Sequence, residues 1–246
     1  MRTYNLEKMI PHRKSVRTID STPLDETVVS EILAFAQSVS PLFPEIRTVL
    51  RILPQTEIKG LGSVFAPHYL VMYSERSPDA DLNSGFILQQ TDLYLSSLGI
   101  GSCWLGMTKP AQLECEGLPF VILLAFGKPG EPVHRTSRDE FKRKDLSEMG
   151  SPGAIPAYID AVRLAPSAMN KQPWYFTGDE RNCRVFSVRG RGLINIAEGW
   201  RFVDLGISLA HLYVAATADC KKVTFKREDS IPSGNENEYV ISCRME

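Results

Sequence analysis

No C-x-x-C pair occurs in this sequence. The five cysteines, Cys103, Cys115, Cys183, Cys220 and Cys243, are odd in number and widely spaced, which argues against a disulfide framework or a cysteine-built zinc site and fits a reducing cytoplasm. An excess of either charge is also missing. With 28 Lys and Arg against 29 Asp and Glu, the formal net charge is −1, so the chain as a whole is not built for nucleic acid or an anionic membrane. Any anion site must be local. Apolar runs are short: the longest, FVILLAF at 120–126, is far below a bilayer-spanning length and suits a buried strand, and MRTYNLEKMI has no signal-peptide core. Three catalytic signatures are absent: a G-x-S-x-G elbow, a Walker loop and an H-E-x-x-H helix. His12, His68, His134 and His211 lie far apart, and His211, inside an apolar helix pattern, fits a satisfied interior histidine. With no acid–base centre visible, a bound cofactor is the better source of chemistry.

What is present is a patterned chain of 246 residues, 43% hydrophobic, enough for one large domain or two small ones. TPLDETVVSEILAFAQ predicts a helix with Thr22 as N-cap and Pro23 at the first helical position. HYLVMYSE at 68–75 predicts a strand. NSGFILQQTDLYLSSLG predicts a longer helix, capped by Asn83 and ended by Gly99. PFVILLAFG, apolar on both faces, predicts a central strand. The order then recurs: a helix over 155–165, the strand CRVFSVRG, the helix FVDLGISLAHLYVAATA and the strand NEYVISCRM. Leu93-Tyr94-Leu95 and Leu212-Tyr213-Val214 lie 119 residues apart, as do Val121-Ile122 and Val240-Ile241. These matches favour an internal duplication with half-repeats at 22–127 and 151–246, packed about a pseudo-twofold axis over one core; coincidence between two α/β halves is the alternative. A cleft at the seam between halves is then the expected functional site.

Three segments carry candidate chemistry. HRKSVR at 12–17 groups Arg13, Lys14 and Arg17 around Ser15, a set of donors suited to phosphate oxygens; the plainer alternative is a solvated basic turn. RDEFKRKDLSE, with Arg143 and Lys144, reads as a charged linker. APSAMNKQPW at 165–174 breaks a helix at Pro166, then presents Ser167 and Asn170 from irregular backbone with Met169 and Trp174 as apolar cover. A capped turn with Trp174 in the core explains the same residues. LGIGSCWLGM at 98–107 places Trp104 among glycines that admit a close ligand. Its spacing is not that of a dinucleotide fingerprint, and Cys103 suits a small buried thiol.

Together, RKSVR, APSAMNKQPW and LSSLGIGSCWLGM resemble the FMN-dependent nitroreductase family. Members of that family are homodimers with FMN at the seam, the arginine motif and the A-P-S motif coming from opposite subunits. Here the A-P-S motif is missing from the first half, where SVSPLFPEI stands, and appears only in the second. The resemblance is therefore to the branch in which one chain carries two nitroreductase-like repeats and mimics the dimer. It implies an α+β fold, a monomer that is a pseudo-dimer or else a weak homo-oligomer, and one FMN per chain because SEMGSPGAIPA offers no second arginine motif. It also implies that Arg13, Lys14, Ser15 and Arg17 hold the phosphate and ribityl chain, with Arg143 or Lys144 as a further phosphate contact. Pro166, Ser167, Met169 and Asn170 would line the isoalloxazine, and Trp104, Leu105 and Gly106 would pass its hydride-carrying edge. Where the family supplies an asparagine and a lysine before the first strand, EIKGLGSVFAP offers only Lys59. The implied activity is ping-pong transfer of hydride from NAD(P)H to an electron-poor small molecule, such as a nitroaromatic or a quinone. A flavin carrier without NAD(P)H turnover and a protein that kept the fold but lost the cofactor are the alternatives.

Overall fold

Local hydrogen bonds decide where the helices begin. In the computed structural model, which describes residues 5–60, 64–150, 156–179, 181–189, 196–228, 230–232, 234 and 237–246, α1 spans Glu26–Ser38 with Asp25 before it. The expected start at Thr22-Pro23 is corrected: the Thr22 N–H donates to Asp20 Oδ1 at 2.7 Å, so an Asx turn claims those residues first. After β1 (Thr48–Pro54), β2 (Ile58–Gly60) and β3 (His68–Ser74) comes α2, Ala80–Ser97. Asn83 is inside α2 rather than at its cap. Ser77 takes the capping role, accepting the Asp79 N–H on its hydroxyl and the Ala80 N–H on its carbonyl. Gly99, left-handed at φ 71°, ends the turn as expected.

Strands β4 (Gly101–Leu105), β5 (Thr108–Pro110), β6 (Glu114–Cys115) and β7 (Leu118–Gly127) complete the first half. The short α3 (Leu146–Met149) lies between the halves, and the second half contains α4 (Pro156–Arg163), β8 (Trp174–Gly178), β9 (Asn182–Val188), α5 (Arg201–Ala218), β10 (Val223–Lys226) and β11 (Asn237–Met245). One antiparallel sheet runs β1-β3-β7-β4 with β6 paired to β7, the other runs β10-β11-β9-β8, and β2 pairs with β5. The two four-strand paths are the same path: first, second, fourth, third in chain order. Each has its irregularity at the same place. Pairing skips Val121 between Ile122 and Phe120 in one sheet and Val240 between Ile241 and Tyr239 in the other, which matches the 119-residue spacing of those dipeptides in the sequence.

The central helices α2 and α5 lie against each other in a reciprocal way. A β-carbon on Gly85 would collide with the Val203 carbonyl oxygen, and one on Gly206 would collide with that of Leu82. Both glycines and both collision partners are 121 residues apart, as are the ends of the two helices, so in the helices the tripeptide match at 119 is two residues out of step. A contact in which each element uses the same surface on the other is the geometry of a twofold interface. One apolar cluster takes in Leu70, Phe86 and Leu124 from the first half together with Leu209, Val240 and Ile241 from the second. The halves therefore share a core. We expect Gly206→Val to lower stability by about 3 kcal/mol, because the helices must move apart and lose packing along their length; a denaturation midpoint equal to wild type would contradict that contact.

Candidate functional site

The N-terminal segment reaches the seam by lying along the free edge of β4. The Val16 N–H donates to the Ser102 carbonyl and the Gly130 N–H to the Thr18 carbonyl, both at 2.8 Å. This backbone pairing aims successive side chains differently. Arg13 is turned inward, 1% exposed, with Nε 2.8 Å from Asp92 Oδ2 and Nη2 donating to Ser15 Oγ at 3.2 Å. Lys14 pairs with Glu131 at 3.2 Å. Glu131 also accepts the N–H groups of Arg17 and Thr18 at 2.7 and 3.1 Å, and these two bonds hold its carboxyl below the usual range. The Arg17 side chain is exposed and has no ion-pair partner among the described residues.

Ser15 and Arg17 open onto a cavity of about 470 Å³ whose other walls come from distant parts of the chain. β4 and the turn after it contribute Cys103, Trp104, Leu105, Gly106 and Met107, β5 contributes Thr108 and β7 contributes Ile122. Pro166, Ser167, Ala168 and Met169 form the opposite wall. The first turns of α5, with the residue before it, close the floor through Trp200, Val203, Asp204 and Ile207. Gly106 is required by Trp200, since a β-carbon at 106 would lie 2.6 Å from the indole. The Trp104 indole N–H donates to Gln89 Oε1 at 3.3 Å, which fixes its ring at the wall. Burial pushes the Cys103 thiol above its ordinary pKa, so it stays an unreactive apolar group.

The 166–170 loop is held in an unusual conformation. Met169, Asn170 and Gln172 are left-handed, at φ 50°, 57° and 50°, a cost that persists only where surrounding bonds fix the backbone. Those bonds are present. Ser167 Oγ accepts the Gln172 N–H at 2.9 Å, Asp204 accepts the Ala168 N–H on both oxygens at 3.0 Å, and Arg143 Nη1 donates to Asn170 Oδ1 at 2.7 Å. Lys144 donates from Nζ to the Gln172 carbonyl at 3.2 Å. The resemblance implies phosphate contacts for Arg13, Lys14 and Arg143 or Lys144 and a place beside the ring for Asn170, but none of these residues is among those that line the cavity. They are used in buttressing it. Trp174 is likewise in the core, 0% exposed, and gives the loop no cover from solvent. Lys59 is exposed on β2, opposite Lys109, and does not reach the cavity.

Behind the cavity a polar chain crosses the seam. Asp92 is ion-paired with Arg13 and accepts the Ser102 hydroxyl at 2.5 Å and the Gln89 amide at 3.2 Å. The same amide meets His211 Nε2 at 3.1 Å, and His211 Nδ1 meets the Ala161 carbonyl at 2.9 Å. Burial draws the His211 pKa down to about 3, so it is neutral, donating from Nδ1 and accepting at Nε2. Three guanidiniums gather nearby. Arg135 and Arg143 flank the Phe141 ring at 4.0 and 5.4 Å, and each is drawn down to about 10, first by burial and then by the charge of Arg13. Arg143 Nε is buried without a hydrogen-bond acceptor. Sequence reasoning missed Trp200 and Asp204; Asp204 belongs to an apolar helical stretch whose spacing marks it as core, Trp200 stands just before α5, and only the facing loop shows that the first turn is open.

All five cysteines are free, and among the described residues no group of three His, Cys, Asp or Glu side chains is placed to hold a metal ion. No described helix is long and apolar enough to cross a membrane. The architecture and the site define the class: an α+β protein with an apolar cavity between its halves and a cationic side chain at the rim. Residues 5–216 match the model of the family described as "Putative TM nitroreductase", and the chain belongs to that nitroreductase family. A solved structure from Thermotoga maritima, titled a "putative nitroreductase", is 21% identical with a TM-score of 0.66 and covers 99% of this chain and 95% of its own. A nitroreductase with bound FMN from Desulfitobacterium hafniense is 15% identical over 58% of this chain and all of its own, with a TM-score of 0.43. A nitroreductase family protein from Clostridium difficile is 16% identical over 59% of this chain and 95% of its own, with a TM-score of 0.45. No curated protein matches the chain in sequence.

Proposed function

We propose that the cavity holds FMN and that the chain is an NAD(P)H-dependent oxidoreductase acting on an electron-poor small molecule such as a quinone or nitroaromatic. The observation that carries this reading is convergence: the three segments that resemble the flavin family, distant in sequence, all contribute walls to one cavity. The residues present suit the cofactor. Arg17, with no ion-pair partner among the described residues, and Ser15 supply donors for a phosphate at one side, and a dianion there would offset the mutual repulsion of Arg13, Arg135 and Arg143. Pro166, Met169, Trp104 and Trp200 offer flat or flexible apolar surface for a ring system, and Ser167 adds a hydroxyl to the same lining. Gly106 follows the last paired residue of β4, Leu105, so its N–H lies outside the ladder and is available to stabilise developing negative charge. When bound, FMN supplies hydride transfer between NAD(P)H and the acceptor.

The same reading makes the molecule a fused pseudo-dimer with half-repeats at 22–127 and 151–246, supported by the shared strand path, the matched irregularities at Val121 and Val240 and the reciprocal glycine contact. The first half has SVSPLFPEI in place of the A-P-S motif, and SEMGSPGAIPA, of which 151–155 lie outside the described residues, has no arginine. One flavin site per chain follows. Monomeric cytoplasmic activity is part of this proposal. The test is to load the protein with FMN and mix it anaerobically with NADH and with NADPH: bleaching of the flavin absorbance, and its return on adding a quinone, is expected. Stable colour with both nicotinamides would contradict the enzyme reading and favour a flavin carrier.

A further inference from the structure

The two central helices hold their facing loops with different chemistry. Asn83 and Asp204 are each the fourth residue of their helix. Each binds the backbone five residues beyond the end of the preceding helix: Asn83 accepts the Phe43 N–H at 3.1 Å and donates to the Phe43 carbonyl at 3.4 Å, while Asp204 accepts the Ala168 N–H at 3.0 Å. An uncharged amide therefore suffices to tie loop to helix, without the cost of burying an ionisable group. The carboxyl at 204 adds one property an amide lacks, a proton that can leave. Asp204 lines the cavity, and Asn83 does not.

We propose that Asp204 is a catalytic residue that supplies the proton accompanying hydride when the acceptor is reduced; this rests on the flavin reading of the cavity. Conversion of a quinone to a hydroquinone, or of a nitro group to a nitroso group plus water, takes up one hydride and one proton. The hydride originates on NAD(P)H, which leaves as NAD(P)+. The proton leaves the Asp204 carboxyl for an acceptor oxygen, the O–H bond on Asp204 breaking as the new O–H bond forms, and solvent then reprotonates the carboxylate. The environment suits this role. Burial raises Asp204 to about 8, opposed only by the Ala168 N–H, so at neutral pH it is an acid with a pKa near the working pH. No described side chain forms an ion pair with it, the titratable groups sharing its cavity being Arg17 and Cys103.

Asp204→Asn tests the assignment, since asparagine already performs the structural task at position 83; Asp204→Glu serves as the conservative variant. Without flavin, the wild-type protein should lose stability as pH rises from 6.5 to 8, because the folded state keeps a proton that the unfolded chain, near 3.8, has released. His211 acts in the opposite sense, but below 6.5, outside that window. The asparagine variant should lose this slope. With FMN bound, quinone reduction should fall above about pH 8 in wild type; the asparagine variant should lose that limb and about 100-fold or more in kcat, with FMN affinity within about threefold, and Asp204→Glu should restore the limb. A wild-type protein that takes up no FMN defeats the flavin reading and this proposal with it. A flavin-loaded asparagine variant that keeps kcat and the alkaline limb, or a flavin-free one that keeps the stability slope, defeats the proton assignment alone.

Discussion

Arg13→Ala is expected to destabilise the protein by about 3–5 kcal/mol, the loss that follows when one partner of a buried ion pair is removed and the other is left charged. Asp92 is 0% exposed, and without Arg13 it keeps, among the described residues, the Ser102 hydroxyl and the Gln89 amide. Neither is a charge. The consequence extends beyond one pair, because Asp92 orients Gln89, and Gln89 holds both the Trp104 indole at the cavity wall and His211 across the seam. For a chain of this size the midpoint of thermal unfolding should fall by roughly 6–20 °C. Pairing the change with Asp92→Asn should recover a large part of the loss. A single Arg13→Ala variant within about 1 kcal/mol of wild type in a denaturant melt would show that the pair is not the buried anchor described above.

Arg17→Ala is expected to do the reverse: to spare the fold and weaken FMN binding about 10- to 100-fold. A charge-assisted bond from guanidinium to phosphate contributes about 1.5–3 kcal/mol, and each 1.4 kcal/mol is tenfold in affinity. Exposed and without an ion-pair partner among the described residues, the Arg17 side chain contributes little to stability, so the thermal midpoint should move by no more than about 2 °C. Arg17→Glu should be worse than alanine and Arg17→Lys better, since lysine keeps the charge and loses the fork. Equal FMN affinity in wild type and Arg17→Ala, measured by fluorescence quenching, would remove the residue from the site.

The contrast between these two arginines marks how far the sequence alone could be followed. HRKSVR shows that cations and a hydroxyl are clustered, but in a segment with neither helical nor strand periodicity nothing indicates which side chain faces inward. That is decided by Val16 pairing to the edge of β4 and by Asp92 lying beneath, a partner 79 residues from Arg13. Period and length made the long helices and the apolar strands β7 and β11 legible, with β11 found at its observed ends. β1 was not legible, because it mixes Arg51 into an apolar run and ends in Pro54; such a strand is tolerated at a sheet edge, which is where it sits. The A-P-S loop was legible as irregular polar backbone. Its dependence on Arg143, Lys144 and Asp204 was not, since those bonds join residues 27, 28 and 36 positions apart. Trp200 and Asp204 were hidden for a different reason. A helix turn that closes a cavity and a helix turn that packs in a core show the same apolar spacing, and only the opposing surface distinguishes them.

The measurement that tests the central claim most directly is a calorimetric titration of the flavin-free protein with FMN. Saturation at one FMN per chain, with binding weakened in Arg17→Ala and unchanged on altering Lys59, is the result expected of a single cavity formed where the two halves meet. No heat of binding at all, or saturation at two FMN per chain, would contradict it.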